Sequence, residues 1–253
     1  MKTENIFEIN EISKIYEGKV ALDSLTLNIK RGEMVALIGP SGAGKTTLLN
    51  ILATMLKPDG GTIILDGLSI DNYKGVKYLA QKLGIIHQQF DLIGSLPVIH
   101  NVLAGRLKDW GLLKSLISLV FPQDKELATK ALDRVGLKDK IYERTSNLSG
   151  GEQQRVAMAR LLVQNPDVIL ADEPVSSLDP ARAEDILSAL TNIAKEEGKT
   201  LIASLHSVDY ARKYFSRVVA LRAGKIYFDL PVVEITDEYL KELYNLKELV
   251  KDV

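Results

Sequence analysis

Three short stretches combine residue types that handle phosphate and water. The first, GPSGAGKT at 39–46, fits the pattern G-x-x-x-x-G-K-[ST]. Its glycines give backbone N–H groups room to curl around phosphate oxygens, and a helix starting there adds a favourable field. Gly39, Pro40, Ser41, Gly42, Ala43 and Gly44, with Thr47 just beyond, are therefore phosphate-binding candidates. Lys45 offers a mobile positive charge to β and γ phosphates, and Thr46 offers a hydroxyl to Mg2+. The second stretch, VILADEP at 168–174, is an apolar run ending in two carboxylates. Asp172 is placed to hold Mg2+ through water. Strand alternation would turn Glu173 to the opposite face, where it could polarise an attacking water as general base. The third, LSGGEQQRVAMAR at 148–160, sets Ser149 and Glu152 at capping-box spacing. A cap needs neither Gly150 nor Gly151, and each glycine costs backbone entropy. A helix tip with no Cβ in the way is a ready anion site, so the pair points to something that must come close.

The surrounding pattern supplies the elements that must hold these residues. LTLNI (25–29) alternates apolar and polar as a half-buried strand does, and MVALI (34–38) reads as a strand buried on both faces. After it, Leu48, Ile51, Leu52, Met55 and Leu56 fall on one helical face, with Pro58, Gly60 and Gly61 as stops. GTIILDG is a further strand ending in a turn. From about Leu96 to Arg160 the pattern is mostly helical, with a loop near Phe121-Pro122. Strand–helix alternation then returns through DVILAD, a helix over 180–197, TLIASLH, a helix over 208–215, and RVVALRAGKIYF, a hairpin centred on Gly224. In the tail, Leu240, Leu243, Leu246 and Leu249 keep helical spacing behind a Thr236 cap. The expected organisation is a catalytic core with a β subdomain over 1–95 and 161–230, a helical subdomain over about 96–160, and a helical tail over 231–253, an α/β architecture.

At 253 residues with formal net charge −1, the chain has no basic footprint of the kind nucleic-acid binders show. Zero cysteines exclude disulfides and thiolate metal sites. The N-terminal MKTENIFEINEISK carries no apolar signal-peptide core, and no apolar run reaches the ~18 residues a membrane span needs.

The first two stretches alone would fit a GTPase, a small-molecule kinase or a motor, although the guanine-reading Asn-Lys-x-Asp is absent. The third decides between them, because LSGGEQQR resembles the signature of ATP-binding cassette (ABC) proteins. That resemblance implies a P-loop NTPase fold with a RecA-like core, an antiparallel β subdomain and an inserted α-helical subdomain. It also implies ATP and Mg2+ as cofactors, and an ATP-bound homodimer. In such a dimer Ser149, Gly150, Gly151 and Glu152 cap the nucleotide held by the second copy. SSLDP (176–180) is similar to the family's D-loop, with Asp179 at the dimer seam, although Val175-Ser176-Ser177 departs from the commoner threonine-serine-alanine. His206 sits where the family has its switch histidine, a γ-phosphate contact. Gln88, in GIIHQQFDL, occupies the Q-loop position that senses Mg2+ and the attacking water, and Tyr16 the position that stacks on adenine.

Within the family, NVLAGRL, FPQDKELATKALDRVGLKDKIYER and LHSVDYARKYFSRVVALRAGKIYFD resemble phosphonate-importer ATPases. The expectation is an ATPase subunit of a bacterial importer for phosphonate, phosphite or a related oxyanion. It would lie on the cytoplasmic face of the membrane with two transmembrane permease subunits and, through them, a substrate-binding protein. Leu92, Ile93, Leu96 and Val98 are candidates for the permease contact, or else core of the helical lobe. Two alternatives stay open: a cassette for another substrate, such as amino-acid import or lipoprotein or peptide export, and a non-transport ABC ATPase acting on DNA or ribosomes.

Overall fold

The computed structural model describes residues 4–72, 75–87, 90–176 and 178–245. Along the chain, β1 (Asn5–Tyr16), β2 (Lys19–Lys30), β3 (Met34–Ile38), α1 (Lys45–Leu52), β4 (Gly60–Leu65) and β5 (Leu68–Ser69) come first. Then follow α2 (Val76–Lys82), β6 (Leu83–Ile86), α3 (Val98–Leu103), α4 (Leu112–Val120), α5 (Lys125–Arg134), α6 (Gly150–Gln164), β7 (Val168–Ala171) and α7 (Pro180–Glu196). The last are β8 (Thr200–Ser204), α8 (Val208–Tyr214), β9 (Arg217–Arg222), β10 (Lys225–Pro231) and α9 (Asp237–Leu243). Contacts divide these elements into two units, Met1–Asn72 with Thr200–Val253, and Tyr73–Lys199.

The first unit holds two sheets. One is antiparallel, in the order β2-β1-β4-β5. In the other, β3 lies between β8 and β9, parallel to both, and β10 pairs antiparallel with β9. A strand with parallel neighbours on both sides is covered on both faces, which is why MVALI is apolar without alternation and Val35, Ala36, Leu37 and Ile38 are fully buried. The β9–β10 turn is Ala223-Gly224, both residues left-handed as a two-residue hairpin requires. This turn does more than reverse the chain. The Gly224 N–H donates to the Ala43 carbonyl (3.2 Å), and the Gly224 carbonyl accepts from the Asp23 N–H (3.0 Å). Below it, Arg217 forks across Asp229 (2.6 Å to each carboxylate oxygen) and reaches Glu33 (3.0 Å), tying β9, β10 and the β2–β3 connection together. The two carboxylates hold the guanidinium pKa above its ordinary value.

Helix α1 is shorter than its apolar spacing predicts. It ends at Leu52, Thr54 turns left-handed, and Met55 is 62 % exposed, so Met55 and Leu56 do not extend the buried stripe. The left-handed turn, not Pro58, stops the helix.

The second unit is organised by α6. Val156, Ala157, Met158 and Ala159 are buried, and the helix approaches its neighbours closely because glycines face it: a Cβ on Gly84 would overlap Leu161, and one on Gly105 the Arg160 carbonyl. Polar side chains along α6 bind the backbone of other elements. Gln153 donates to the Leu148 carbonyl (3.1 Å), Gln154 to the Pro174 carbonyl, Arg155 to the Val135 carbonyl (2.8 Å) and Gln164 to the Leu83 carbonyl (2.8 Å). At its start the capping box is formed. The Ser149 hydroxyl accepts from the Glu152 N–H (3.4 Å), while the Glu152 carboxylate accepts from the Ser149 N–H and hydroxyl (2.8 Å each). The candidate permease contacts separate here: Val98 is fully buried in the lobe and so belongs to its core, whereas Ile93 is exposed and Leu92 and Leu96 are half-buried.

Two expectations follow. Gly39 has φ 144°, and a Cβ there would overlap the Leu221 carbonyl oxygen. Gly39→Ala should therefore cost about 3 kcal/mol or more, read as a lowered urea midpoint. The Ser149 N–H and hydroxyl hold the Glu152 carboxyl below its ordinary value near 4.5. A depressed folded-state pKa stabilises above the unfolded value and loses that stability as pH falls through the folded one. The deficit of Glu152→Gln in urea should thus be present at pH 7 and shrink progressively as the pH drops below about 4.5.

Candidate functional site

In the first unit, β3 ends at Ile38 and the chain enters the loop with two left-handed glycines, Gly42 (φ 79°) and Gly44 (φ 102°), the second being the N-cap of α1. Gly44 is pressed against the Ala21 carbonyl and Leu22, so a side chain there is excluded as it is at Gly39. Gly42, by contrast, meets nothing within 4 Å, and Ser41 and Gly42 face outward. The loop is thus held on its inner side and open on its outer side. Lys45, only 5 % exposed, folds back over it, and its ammonium donates to the Gly39 carbonyl (2.7 Å) and the Pro40 carbonyl (3.2 Å). These two hydrogen bonds hold the ammonium along the loop's rim. Thr46 is exposed and Thr47 half-buried.

His206 leaves the same sheet edge. Leu37 pairs with Ser204, and the Leu205 N–H donates to the Leu37 carbonyl (2.9 Å), so the segment after β8 runs beside the strand that feeds the loop. His206 follows and is exposed, with Ser207 capping α8. The carboxyl ends of adjacent parallel strands are where open α/β sheets place ligands. Tyr16 ends β1, opposite Lys19, before the Glu17-Gly18 turn. Its ring is 45 % exposed, with the Lys14 ammonium 5.7 Å from its centre.

In the second unit, β6 and β7 run parallel, and the Asp172 N–H donates to the Ile86 carbonyl (2.9 Å). Asp172 and Glu173 are half-buried. Strand alternation does not aim Glu173, however. The strand stops at Ala171, and Glu173 is left-handed (φ 48°), so a turn rather than a pleat aims its side chain. Its carbonyl accepts from the Ser176 N–H (3.3 Å), and the next carbonyl, of Pro174, accepts from the fully buried Gln154. Asp179 caps α7, accepting from the Arg182 N–H (3.1 Å) and pairing with the Arg182 guanidinium (3.2 Å). Gln88 lies outside the described residues, as do Ser177, Leu246 and Leu249. At the α6 tip, Ser149 and Gly150 are exposed, and a Cβ on Gly150 or Gly151 would meet nothing within 4 Å.

Two residues were not singled out from the sequence. Gln154 fixes the turn that carries Glu173, and Arg160 donates to the Phe90 and Asp91 carbonyls (2.9 Å each), holding the segment after β6. Burial lowers the Arg160 pKa below its ordinary value. The only hint was a polar residue on a helix with an apolar interior, and "EQQR" does not say which glutamine turns inward.

Comparison with known proteins agrees with this arrangement. The sequence pattern of the ABC transporter family matches residues 22–176. The chain is 46 % identical over 243 residues to a phosphonates import ATP-binding protein, PhnC, of Shouchella clausii, covering 95 % of this chain and 91 % of that one. It is likewise 46 % identical over 235 residues to a phosphonates import ATP-binding protein of Pseudomonas aeruginosa, covering 92 % and 88 %. Among solved structures, the dimeric ATP-binding cassette MJ0796 in a post-hydrolysis state with ADP and Pi superposes with a TM-score of 0.74 at 31 % identity, covering 89 % of this chain and 98 % of that one. The fold is that of an ABC ATPase, and the chain belongs to the ABC transporter family.

Proposed function

We propose that this chain is the ATP-hydrolysing subunit of a bacterial importer for phosphonate or a related phosphorus oxyanion such as phosphite. The observation that carries the reading is the loop from Gly39 to Lys45, braced from behind, open in front and crossed by a buried ammonium. The near full-length similarity to phosphonates import ATP-binding proteins supports the choice of cargo.

Bound Mg-ATP supplies the phosphoanhydride bond that is cleaved. The loop N–H groups and Lys45 would bind its phosphates, and Tyr16 would stack on its base. No group of three or more His, Asp or Glu among the described residues could hold a metal alone. A Mg2+ that arrives with a nucleotide needs little from the protein, and the Thr46 hydroxyl, the Asp172 carboxylate and Gln88 would complete its shell. Glu173 would take the proton from the attacking water, with Gln88 and His206 positioning water and γ-phosphate. Ser149, Gly150 and Gly151 of a second copy would approach the γ-phosphate, with Glu152 holding their helix tip and Asp179 at the seam. The open space around both glycines is what such an approach needs. Loss of the γ-phosphate would remove that contact and open the dimer, a two-state element biased by its ligand. The chain would work at the cytoplasmic face of the membrane, bound to two permease subunits that receive cargo from a substrate-binding protein. No helix among the described residues is long and apolar enough to cross a membrane.

Glu173→Gln should keep ATP affinity within about twofold and lower phosphate release by roughly 100-fold or more, trapping an ATP-stabilised dimer on size exclusion. Turnover at the parent rate would remove Glu173 as the base. Ser149→Arg should abolish that dimer while the monomer still binds a fluorescent ATP analogue; loss of binding by the monomer would mean that this residue acts on its own chain's nucleotide. The cargo reading is tested by capturing tagged Glu173→Gln with Mg-ATP from solubilised native membranes. A polytopic permease paired with a phosphonate-type binding protein is expected, and recovery of ribosomes or DNA-bound proteins alone would overturn the transport reading.

A further inference from the structure

Helix α4 is built inside out. Its one buried residue is Ser118, 4 % exposed, whose hydroxyl accepts from the Gln123 N–H (3.1 Å). Its apolar residues face solvent: Leu112 is 80 % exposed, Leu113 74 %, Val120 72 % and the following Phe121 70 %, with Leu116, Ile117 and Leu119 also exposed. At 100° per residue the six within the helix cover an arc of roughly 160°. Lys114, Ser115 and Ser118 occupy the remainder. A surface helix of a water-soluble domain does the reverse, turning a stripe of about 100° inward.

We infer that α4 lies in the headgroup–acyl boundary of the bilayer, its apolar arc immersed and its serine side against the protein. A helix seated in a protein groove needs one apolar stripe of about 100°, whereas an arc wider by roughly half matches immersion in an apolar phase. The flanks fit the same medium. Trp110 precedes the helix, half-buried, its indole N–H on Asp124 (3.2 Å) and its ring 5.1 Å below the Lys114 ammonium. Trp and Lys beside an apolar face are interfacial anchors. Between Ala104 and Lys125 the chain carries Arg106, Lys108, Lys114 and Lys125 against Asp109 and Asp124, a local excess of 4 − 2 = +2, which complements an anionic lipid surface. The inference deepens the importer reading and rests on it for the presence of a bilayer beside the protein.

Trp110 is the chain's one tryptophan, so it reports on this helix without labelling. The full chain is titrated with vesicles of phosphatidylethanolamine and phosphatidylglycerol, following Trp110 emission and co-sedimentation. A blue shift, quenching by brominated acyl chains and co-sedimentation are expected. The pair Leu113→Ser with Val120→Ser, both positions exposed and so free of the core, should weaken partitioning about tenfold or more. Val233→Ser, 87 % exposed in the other unit, should leave it unchanged. Absence of shift and sedimentation would overturn the inference, as would equal loss in the Val233 variant. A lipid-independent dimer abolished by the α4 pair would do so as well, assigning the face to a second copy. ATP turnover on the same samples separates the two readings. Turnover without vesicle binding removes the lipid contact alone, and vesicle binding without turnover removes the ATPase reading alone.

Discussion

A loop that binds an anion through its backbone must point its N–H groups into open space, so everything that fixes its shape has to act from the other side. In this chain that support is made of main-chain atoms. Gly39 and Gly44 are pressed against the carbonyls of Leu221 and Ala21, and the Ala43 carbonyl is taken by the N–H of Gly224. Side chains contribute at a distance: at the far end of the hairpin Arg217 locks β9 to β10 and to Glu33. Lys45 closes the structure from the rim, its charge tolerated in a buried position because two loop carbonyls receive it.

The second unit solves a different problem with the same material. Gly84 and Gly105 bring α6 close to its neighbours, and from that position its glutamines and arginines reach backbone carbonyls that ladders leave unpaired. The turn bearing Glu173 and the segment after β6 are therefore attached to one rigid helix. At the tip of that same helix, a Cβ on Gly150 or Gly151 would meet nothing within 4 Å. Glycines that relieve a clash and glycines that keep a surface clear sit within one helix's surroundings, and only coordinates tell them apart.

How far the sequence could be read follows from which physics each feature obeys. Elements with strong periodicity or strong punctuation were legible: the buried strand MVALI, the hairpin at Gly224, the helix after Asp179 and the capping box at Ser149. The tight loop that the glycines of GPSGAGKT announce was also legible, with Gly42 and Gly44 left-handed. What was missed depends on local backbone reversal or on long-range contact. Thr54 ends α1 before its apolar spacing does, and Glu173 leaves the strand direction in a left-handed step, neither of which composition announces. Val98 and Ile93 share an apolar stretch, yet one is core and the other surface. Gln154 and Arg160 act on carbonyls 20 and 70 residues away, a separation that no spacing rule covers.

The β9–β10 turn also bears on how the molecule can be altered. A two-residue hairpin turn at the end of a sheet is ordinarily where inserted peptides, affinity tags and new chain termini are accepted. Here the turn's own N–H and carbonyl are both engaged, one on Ala43 and the other on Asp23, and a Cβ on Gly224 would press on the Ala21 backbone. Lengthening it by one residue would displace the N–H that holds the Ala43 carbonyl, behind the Gly39–Lys45 loop. In sequence terms, a turn that reads as an ordinary hairpin is constrained both in its residues and in its length.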